Sequence, residues 1–147
     1  MIYKDGSSYN GQWKDDDMNG YGTIIWTNGK KYLGYLTNHQ KNGKRITYDA
    51  KGNKEYEGDY VNGLMEGYGV LYDVSSGLKY EGEFKNDNME GQGTFNRVDE
   101  EGSKFSFIGE FKQNNFYNGT LILIKPNGTK YATEYKNGNM RKTKQTN

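Results

Sequence analysis

A five-residue pattern recurs along the chain and limits the folds that it can adopt. The pattern is an aromatic residue, any residue, glycine, any residue and a second large apolar residue. Its copies start 23 to 27 residues apart, at Tyr9, Tyr32, Tyr56, Tyr80, Phe107 and Tyr131. A repeat of this period is one supersecondary unit that cannot bury its apolar face alone, so neighbouring units must stack on each other.

Each unit has a second recurrent half, built around the sequence Gly-x-Gly. In the third unit, Gly67-Tyr-Gly69 begins eleven residues after the first aromatic residue and is followed by the β-forming run Val70-Leu71-Tyr72. A large apolar residue lies nine residues after the start of five units, with Lys41 as the exception: Met18, Met65, Met89, Phe116 and Met140. A turn glycine closes each unit: Gly6, Gly29, Gly52, Gly77, Gly102 and Gly128.

These halves predict one β-hairpin per unit. The first half alternates with period two, as a strand does, and the second is rich in strand formers. We predict that a loop of about six residues joins the two strands, and that a turn such as Asn28-Gly29 leads to the next unit. The 21 glycines also exclude long helices, since a glycine inside a helix costs about 1 kcal/mol relative to alanine.

The glycines on the strands predict how the sheet forms a core. Aromatic residues make up 15% of the chain although all hydrophobic residues reach only 32%. A glycine leaves room for a neighbouring ring to lie flat on the backbone, so one sheet layer can bury its rings without a second layer. The glycines predicted to have this structural role are Gly11, Gly20, Gly22, Gly34, Gly58, Gly67, Gly69, Gly82, Gly91, Gly93 and Gly109.

This pattern resembles the MORN repeat (membrane occupation and recognition nexus) from Tyr9 to Asn139. The third and fourth units carry the resemblance best, in the segments Tyr56–Gly69 and Tyr80–Gly93. It implies an all-β fold: an elongated, single-layer, twisted antiparallel sheet of consecutive β-hairpins, about five to six repeats that form a trough. Departures from the pattern lie at the second glycine, at the first glycine and in an acidic insertion: Arg45, Leu121, Thr133 and Asp99-Glu100-Glu101.

The repeats also predict the domain organisation. Residues 1–8 superpose without a gap on the end of the first full unit, so they form a half-repeat that is either a cap or the edge of a longer array. Residues 9–140 form the array, with units starting near 9, 32, 56, 80, 107 and 131. Residues 141–147 are expected to be a basic, flexible tail.

Charge and hydropathy exclude several classes of partner. The 20 basic and 19 acidic residues leave a net charge of +1, too little to draw the chain to nucleic acid or to anionic lipid. Weak or absent direct membrane binding is therefore expected. No window of 18 apolar residues and no apolar leader occurs in the sequence, and there is no cysteine, so we expect a cytoplasmic protein.

The sequence offers little for catalysis or metal binding. His39 is the single histidine and is interpreted as a solvated loop residue. Asp15-Asp16-Asp17 lacks the ligand spacing of a calcium loop and is interpreted as a polar hairpin loop. The recurrent carboxylates, such as Glu57 and Glu81, single out no acid–base pair. We therefore predict no catalytic residue, no metal, no cofactor and no enzymatic activity.

The leading functional hypothesis is an interaction or scaffold module that binds a peptide or helix of another protein in an aromatic-lined concave groove. The residues predicted to line this groove are Trp13, Tyr32, Tyr56, Tyr60, Tyr80, Phe84, Phe107 and Phe111. The resemblance implies a place in a cytoskeletal, ciliary or membrane-associated assembly, and a homodimer can form in some members. Two alternatives stay open: an accessory domain of a lipid kinase or methyltransferase, and a phospholipid-binding module.

Overall fold

The computed structural model describes residues 1–146 and is all β in this range. No helix occurs there, and so none that could cross a membrane. The strands are β1 Ser8–Lys14, β2 Asp17–Ile25, β3 Lys31–Thr37, β4 Gln40–Tyr48, β5 Lys54–Val61, β6 Leu64–Asp73, β7 Leu78–Lys85, β8 Asn88–Val98, β9 Lys104–Lys112, β10 Asn115–Ile124, β11 Lys130–Lys136 and β12 Asn139–Thr146.

The strands follow one another in chain order in one antiparallel sheet, each hydrogen-bonded to the next. The predicted all-β sheet of consecutive hairpins is thus confirmed, with one hairpin per repeat. The sheet is open, since β1 and β12 have a strand neighbour on one side only within residues 1–146. Two compact units divide the chain, Met1–Gly69 and the part from Val70 on. The concave trough expected from strand twist stays a prediction.

The loops inside the repeats are shorter than predicted. Two residues, not about six, join the strands of each hairpin, because the flanking polar residues continue the strand pairing. In the first hairpin both turn residues have positive φ, 51° at Asp15 and 65° at Asp16. This is the geometry of a type I′ turn, whose twist matches that of the strands and which Asn and Asp tolerate well. A polar run was therefore misread as a loop.

The turns between repeats lie where they were predicted. Gly29, Gly52 and Gly128 have φ of 80°, 86° and 85°, a region that favours glycine. In the first of these turns the Trp26 amide donates to the Lys30 carbonyl at 3.0 Å, and the Gly29 amide donates to the Trp26 carbonyl at 2.9 Å. These bonds close the chain tightly enough to bring the next strand into register.

Hydrogen bonds also join the tip of one hairpin to the hairpin before it. The His39 amide donates to the Met18 carbonyl at 3.3 Å in the first compact unit. In the second compact unit the Asn114 amide donates to the Met89 carbonyl at 3.1 Å, and the Met89 amide donates to the Asn114 side-chain oxygen at 2.7 Å. In these pairs, each repeat positions the turn of the next one.

The C-terminal residues form a strand where a flexible tail was expected. Residues 139–146 make β12, which pairs with β11 from Lys136↔Asn139 to Lys130↔Thr146. Lys142 lies directly opposite Glu134, so part of the basic charge is compensated across the strands. The β-branched residues Thr143 and Thr146 also favour an extended chain. The pairing was missed because charge alone was taken as the sign of disorder.

Candidate interaction site

The first aromatic ring of a repeat is buried on a floor of two glycines. Tyr80, fully buried, lies against Gly82 and Gly93, which face each other across β7 and β8. A Cβ atom built on either glycine would come closer than 3.0 Å to the tyrosine ring. Tyr9 lies in the same way on Gly11 and Gly22, and Tyr56 on Gly58 and Gly69. The aromatic residue and both glycines are therefore one packing unit.

The buried tyrosine hydroxyl has the same acceptor in the first four repeats, the backbone carbonyl three residues further along. The Tyr9 hydroxyl donates to the Gln12 carbonyl at 2.7 Å, and the Tyr80 hydroxyl to the Glu83 carbonyl at 2.8 Å. Tyr32 and Tyr56 make the equivalent bonds. A buried hydroxyl without a partner destabilises the fold, so this acceptor explains how tyrosine can occupy a core position.

Burial of the Tyr32 hydroxyl is expected to make the free energy of unfolding depend on pH in the alkaline range. Burial raises the pKa of Tyr32 from 10.0 to about 12. The charged form of tyrosine is the deprotonated one, so above pH 10 the unfolded chain loses this proton before the folded protein does. We expect the free energy of unfolding, measured by urea titration, to fall between pH 10 and 12. A Tyr32→Phe variant should lose less stability in that interval, and a fall equal to that of the wild type would contradict this assignment.

The two glycines of Gly-x-Gly have different roles. The first has positive φ in four repeats, 88° at Gly20, 72° at Gly43, 69° at Gly67 and 67° at Gly91. In the first hairpin Gly20 lies opposite the register shift between Gly11 and Trp13. An equivalent shift occurs in the fourth hairpin. The first glycine thus permits a β-bulge, whereas the second makes room for the ring.

The structure assigns most of the predicted groove residues to the core. Among them only Trp13 is exposed, with 40% of its surface accessible. The other seven are buried: Tyr32, Tyr56, Tyr60, Tyr80, Phe84, Phe107 and Phe111. In four repeats the second ring packs edge-on against the first, as Phe84 does against Tyr80 with 5.1 Å between centroids. Rings from neighbouring strands cover one another, so a single layer buries more of its rings than the sequence predicted. Direct contact of a partner with these rings stays a prediction.

The last two hairpins depart from this construction in different ways. In the fifth hairpin Gly109 and Gly119 face each other, so Gly119 takes the place of the second glycine, and the prediction that Leu121 holds this place is wrong. Phe107 has no hydroxyl and instead stacks on Phe116, with ring centroids 4.1 Å apart.

In the sixth repeat Thr133 and Thr143 take the places of the two glycines, and their hydroxyl oxygens lie 2.9 Å apart in a hydrogen bond. The Tyr131 ring there is only half-buried. The departures recognised in the sequence therefore change the core locally but keep the strand pairing.

The second hairpin carries a buried arginine on its ring-bearing face. Arg45 pairs with Gly34, in the place where other repeats have the second glycine. Its guanidinium carbon lies 3.7 Å from the centroid of the Tyr60 ring and 4.8 Å from that of Tyr32. Burial lowers the pKa of Arg45. The Lys41 ammonium lies over the same two rings, at 5.8 Å and 5.3 Å.

Exposed apolar side chains cluster on the opposite face of the first compact unit. Tyr21 and Tyr35 lie directly opposite each other on β2 and β3, and their rings meet edge to face with 5.5 Å between centroids. Side chains two residues apart on a strand share a face, and cross-strand pairing joins them into one surface. We call this surface the tyrosine patch: Tyr21, Ile25, Leu33, Tyr35 and Ile46.

The tyrosine patch was not predicted from the sequence, because the recurrent rings on the other face form the stronger pattern. The patch residues alternate one position out of phase with those rings. That offset was the available signal, since every second residue of a strand points to the other face. In other strands the same face carries carboxylates such as Glu57 and Asp59, so the patch is confined to the first two repeats.

The polar residues that were assessed for catalysis or metal binding lie at the turns of the first two hairpins. His39 is a turn residue whose Nε2 atom lies 2.6 Å from Asp17 Oδ1, with both side chains nearly half exposed. Asp15 and Asp16 form the first type I′ turn. Across residues 1–146 no group of three or more histidine or acidic side chains is arranged to hold a metal ion.

Comparison with known proteins agrees with this construction. The family model of the MORN repeat matches residues 9–31, 56–77 and 80–99. A search of curated proteins gives no match. The three matched segments begin at Tyr9, Tyr56 and Tyr80, three tyrosines whose rings lie on a complete pair of glycines. By these three matches and by the hairpin that each segment forms, the chain contains MORN repeats.

Proposed function

We propose that the chain is a non-catalytic interaction module that binds a segment of another protein through the tyrosine patch. MORN repeats are in general interaction or membrane-associated modules, and a chain built of such hairpins fits that role. The observation that carries the proposal is the patch itself. Tyr21, Ile25 and Tyr35 are exposed next to one another, and the half-buried Leu33 and Ile46 extend the same surface. Contiguous apolar surface of this kind marks binding sites in soluble proteins.

The composition of the patch suits protein recognition. Tyr21, Tyr35 and Ile25 are 50%, 56% and 41% exposed, so much of their apolar surface is available to a partner. Tyrosine offers a large contact area at a small cost in side-chain entropy, and it is enriched where binding energy is concentrated. The edge-to-face contact between the two rings holds them in place before a partner arrives.

The rim of the patch favours a protein over an anionic membrane. Lys30 pairs with Glu55 at 2.7 Å, and Lys54 pairs with Glu57 at 2.7 Å. Lys44, on the same face as Ile46, lies opposite Asp59. These neighbouring charges compensate one another, so the rim has little positive potential to attract acidic lipids. The expected partner segment presents aliphatic or aromatic side chains to the patch.

The test compares a patch variant with a control of similar polarity change. We expect Tyr21→Ser/Tyr35→Ser to recover the partner from a lysate of the source organism at least tenfold less than the wild type, since the loss of about 1.4 kcal/mol from one interface tyrosine already lowers the affinity tenfold. Ile108→Ser removes an apolar side chain that is 65% exposed on another hairpin and should leave recovery unchanged.

The capture is quantified by mass spectrometry against immobilised protein, after circular dichroism has shown that both variants are folded. Proteins recovered equally by all three forms count as background. If no protein depends on Tyr21 and Tyr35, the proposal fails.

A further inference from the structure

The guanidinium of Arg45 is buried without acceptors for most of its donors. Only 4% of the residue surface is exposed, and neither Nη1 nor Nη2 has a hydrogen-bond partner among the described residues. Nε donates to the Gly43 carbonyl at a long 3.4 Å. Buried donors without partners are costly, and a charged group more so. Since glycine serves this position in other repeats, the fold itself does not require the arginine.

A second cation lies beside Arg45, again at a position where other repeats are apolar. Lys41 replaces the methionine or phenylalanine of the other five units. Its ammonium lies 4.6 Å from the centroid of the Trp26 ring and shares Tyr32 and Tyr60 with Arg45. Ring faces attract cations, which lowers the cost of burying them, but rings do not satisfy the planar N–H donors of a guanidinium.

We propose that Arg45 and Lys41 form a carboxylate-binding site on the ring-bearing face, which takes an Asp or Glu side chain from an acidic segment of a partner protein. A carboxylate accepts two parallel hydrogen bonds from an arginine fork in one plane. The Tyr60 and Tyr32 rings flank the guanidinium, and a flat carboxylate needs less additional room beside them than a tetrahedral phosphate does.

This site is distinct from the tyrosine patch. Arg45 and Ile46 are consecutive residues of β4, so their side chains point to opposite faces of the sheet. The inference rests on the proposed interaction function, but it concerns a second surface with a different chemistry. Lys41 is only half-buried and has a flexible side chain. The proposal requires a local rearrangement that exposes the Nη atoms of Arg45, and Lys41, which lies over the same rings, is the side chain that we expect to move and then to contact the carboxylate.

The experiment uses a defined probe rather than an unidentified ligand. N-acetyl hexaglutamate amide is titrated into ¹⁵N-labelled protein while the Arg45 Nε–H resonance is followed, with the hexaglutamine peptide as the uncharged control. We expect the glutamate peptide alone to shift this resonance. Arg45→Met should weaken its binding about tenfold or more, and Arg45→Lys, which keeps the charge but not the fork, should give an intermediate loss.

Arg97→Met is the matched control, because it removes the same charge from an exposed position of β8. It should change the affinity by less than about twofold, as a surface charge contributes little. Equal losses in Arg45→Met and Arg97→Met, or no shift of the Arg45 resonance, would overturn the proposal. So would Arg45-dependent binding to phosphatidylcholine vesicles with phosphatidylinositol bisphosphate in the absence of binding to hexaglutamate.

Two further measurements are needed. The first distinguishes a binding role of Arg45 from a structural role, and the second distinguishes the carboxylate site from the tyrosine patch. The melting temperature of Arg45→Met should equal or exceed that of the wild type, because the change removes unsatisfied donors. A lower melting temperature would show that the arginine is structural and would count against the proposal. The Tyr21→Ser/Tyr35→Ser variant should bind hexaglutamate as the wild type does, so a failure of the tyrosine patch and a failure of the carboxylate site give different results.

Discussion

A Gly93→Val variant is expected to lose about 3–5 kcal/mol of unfolding free energy, the loss typical of a severe core substitution. A Cβ atom at this position would overlap two ring carbons of Tyr80, at 2.5 and 2.8 Å, and its hydroxyl oxygen, at 2.6 Å. The ring must leave its floor, which also breaks the hydrogen bond from its hydroxyl to the Glu83 carbonyl. Urea or thermal unfolding followed by circular dichroism measures the loss.

Gly128→Asn is the control for the general cost of replacing a glycine. Gly128 has a positive φ of 85°, but a Cβ atom there meets nothing within 4 Å. Asparagine tolerates this backbone region, so a loss below about 1 kcal/mol is expected. Similar losses in the two variants would mean that the glycines act through backbone freedom and not through the space that they leave for a ring.

Phe107→Ala is expected to cost about 3–5 kcal/mol, as does the removal of a phenylalanine from a well-packed core. The side chain is fully buried and contacts the rings of Phe111, Phe116 and Tyr135. Its loss leaves a cavity that β9 and β10 cannot close, because their backbones are already in contact through Gly109 and Gly119. The measurement is the same unfolding titration.

The neighbouring residue supplies a matched control. Ile108 is 65% exposed on the other face of the same strand, and Ile108→Ala should change stability by less than about 0.5 kcal/mol. Comparable effects at both positions would contradict the assignment of the core to one face of the sheet.

The fold was predictable from the sequence because one regularity appears at three levels. The alternation of Tyr80, Gly82 and Phe84 specifies a strand, its repetition specifies hairpins, and the paired glycines specify a ring on bare backbone. Loop length was not predictable in the same way. Asn86 and Asp87 are common in irregular loops, and only their shared positive φ shows that they form a two-residue turn.

The candidate sites were harder to predict, because exposure is a property of the assembled sheet. Trp13 and Tyr60 hold the same position in their repeats, yet the first is 40% exposed and the second is buried under its neighbours. Arg45 was recognised as a departure from the repeat, but its unsatisfied donors depend on which rings surround it. The sequence shows where a repeat deviates, whereas the distances show which side chains surround the deviation.

The glycine pairs under the rings separate the residues that the fold requires from the residues that are accessible on the outer face of the sheet. All of the fold's packing requirements fall on one face, so the residue between the two glycines of Gly-x-Gly faces away from the core and is not constrained by the ring. In the first four hairpins this residue is Tyr21, Lys44, Tyr68 and Gln92. Aromatic, cationic and amide side chains thus follow one another at this position, and the chemistry of the outer face can change one hairpin at a time without a change in the packing of the rings.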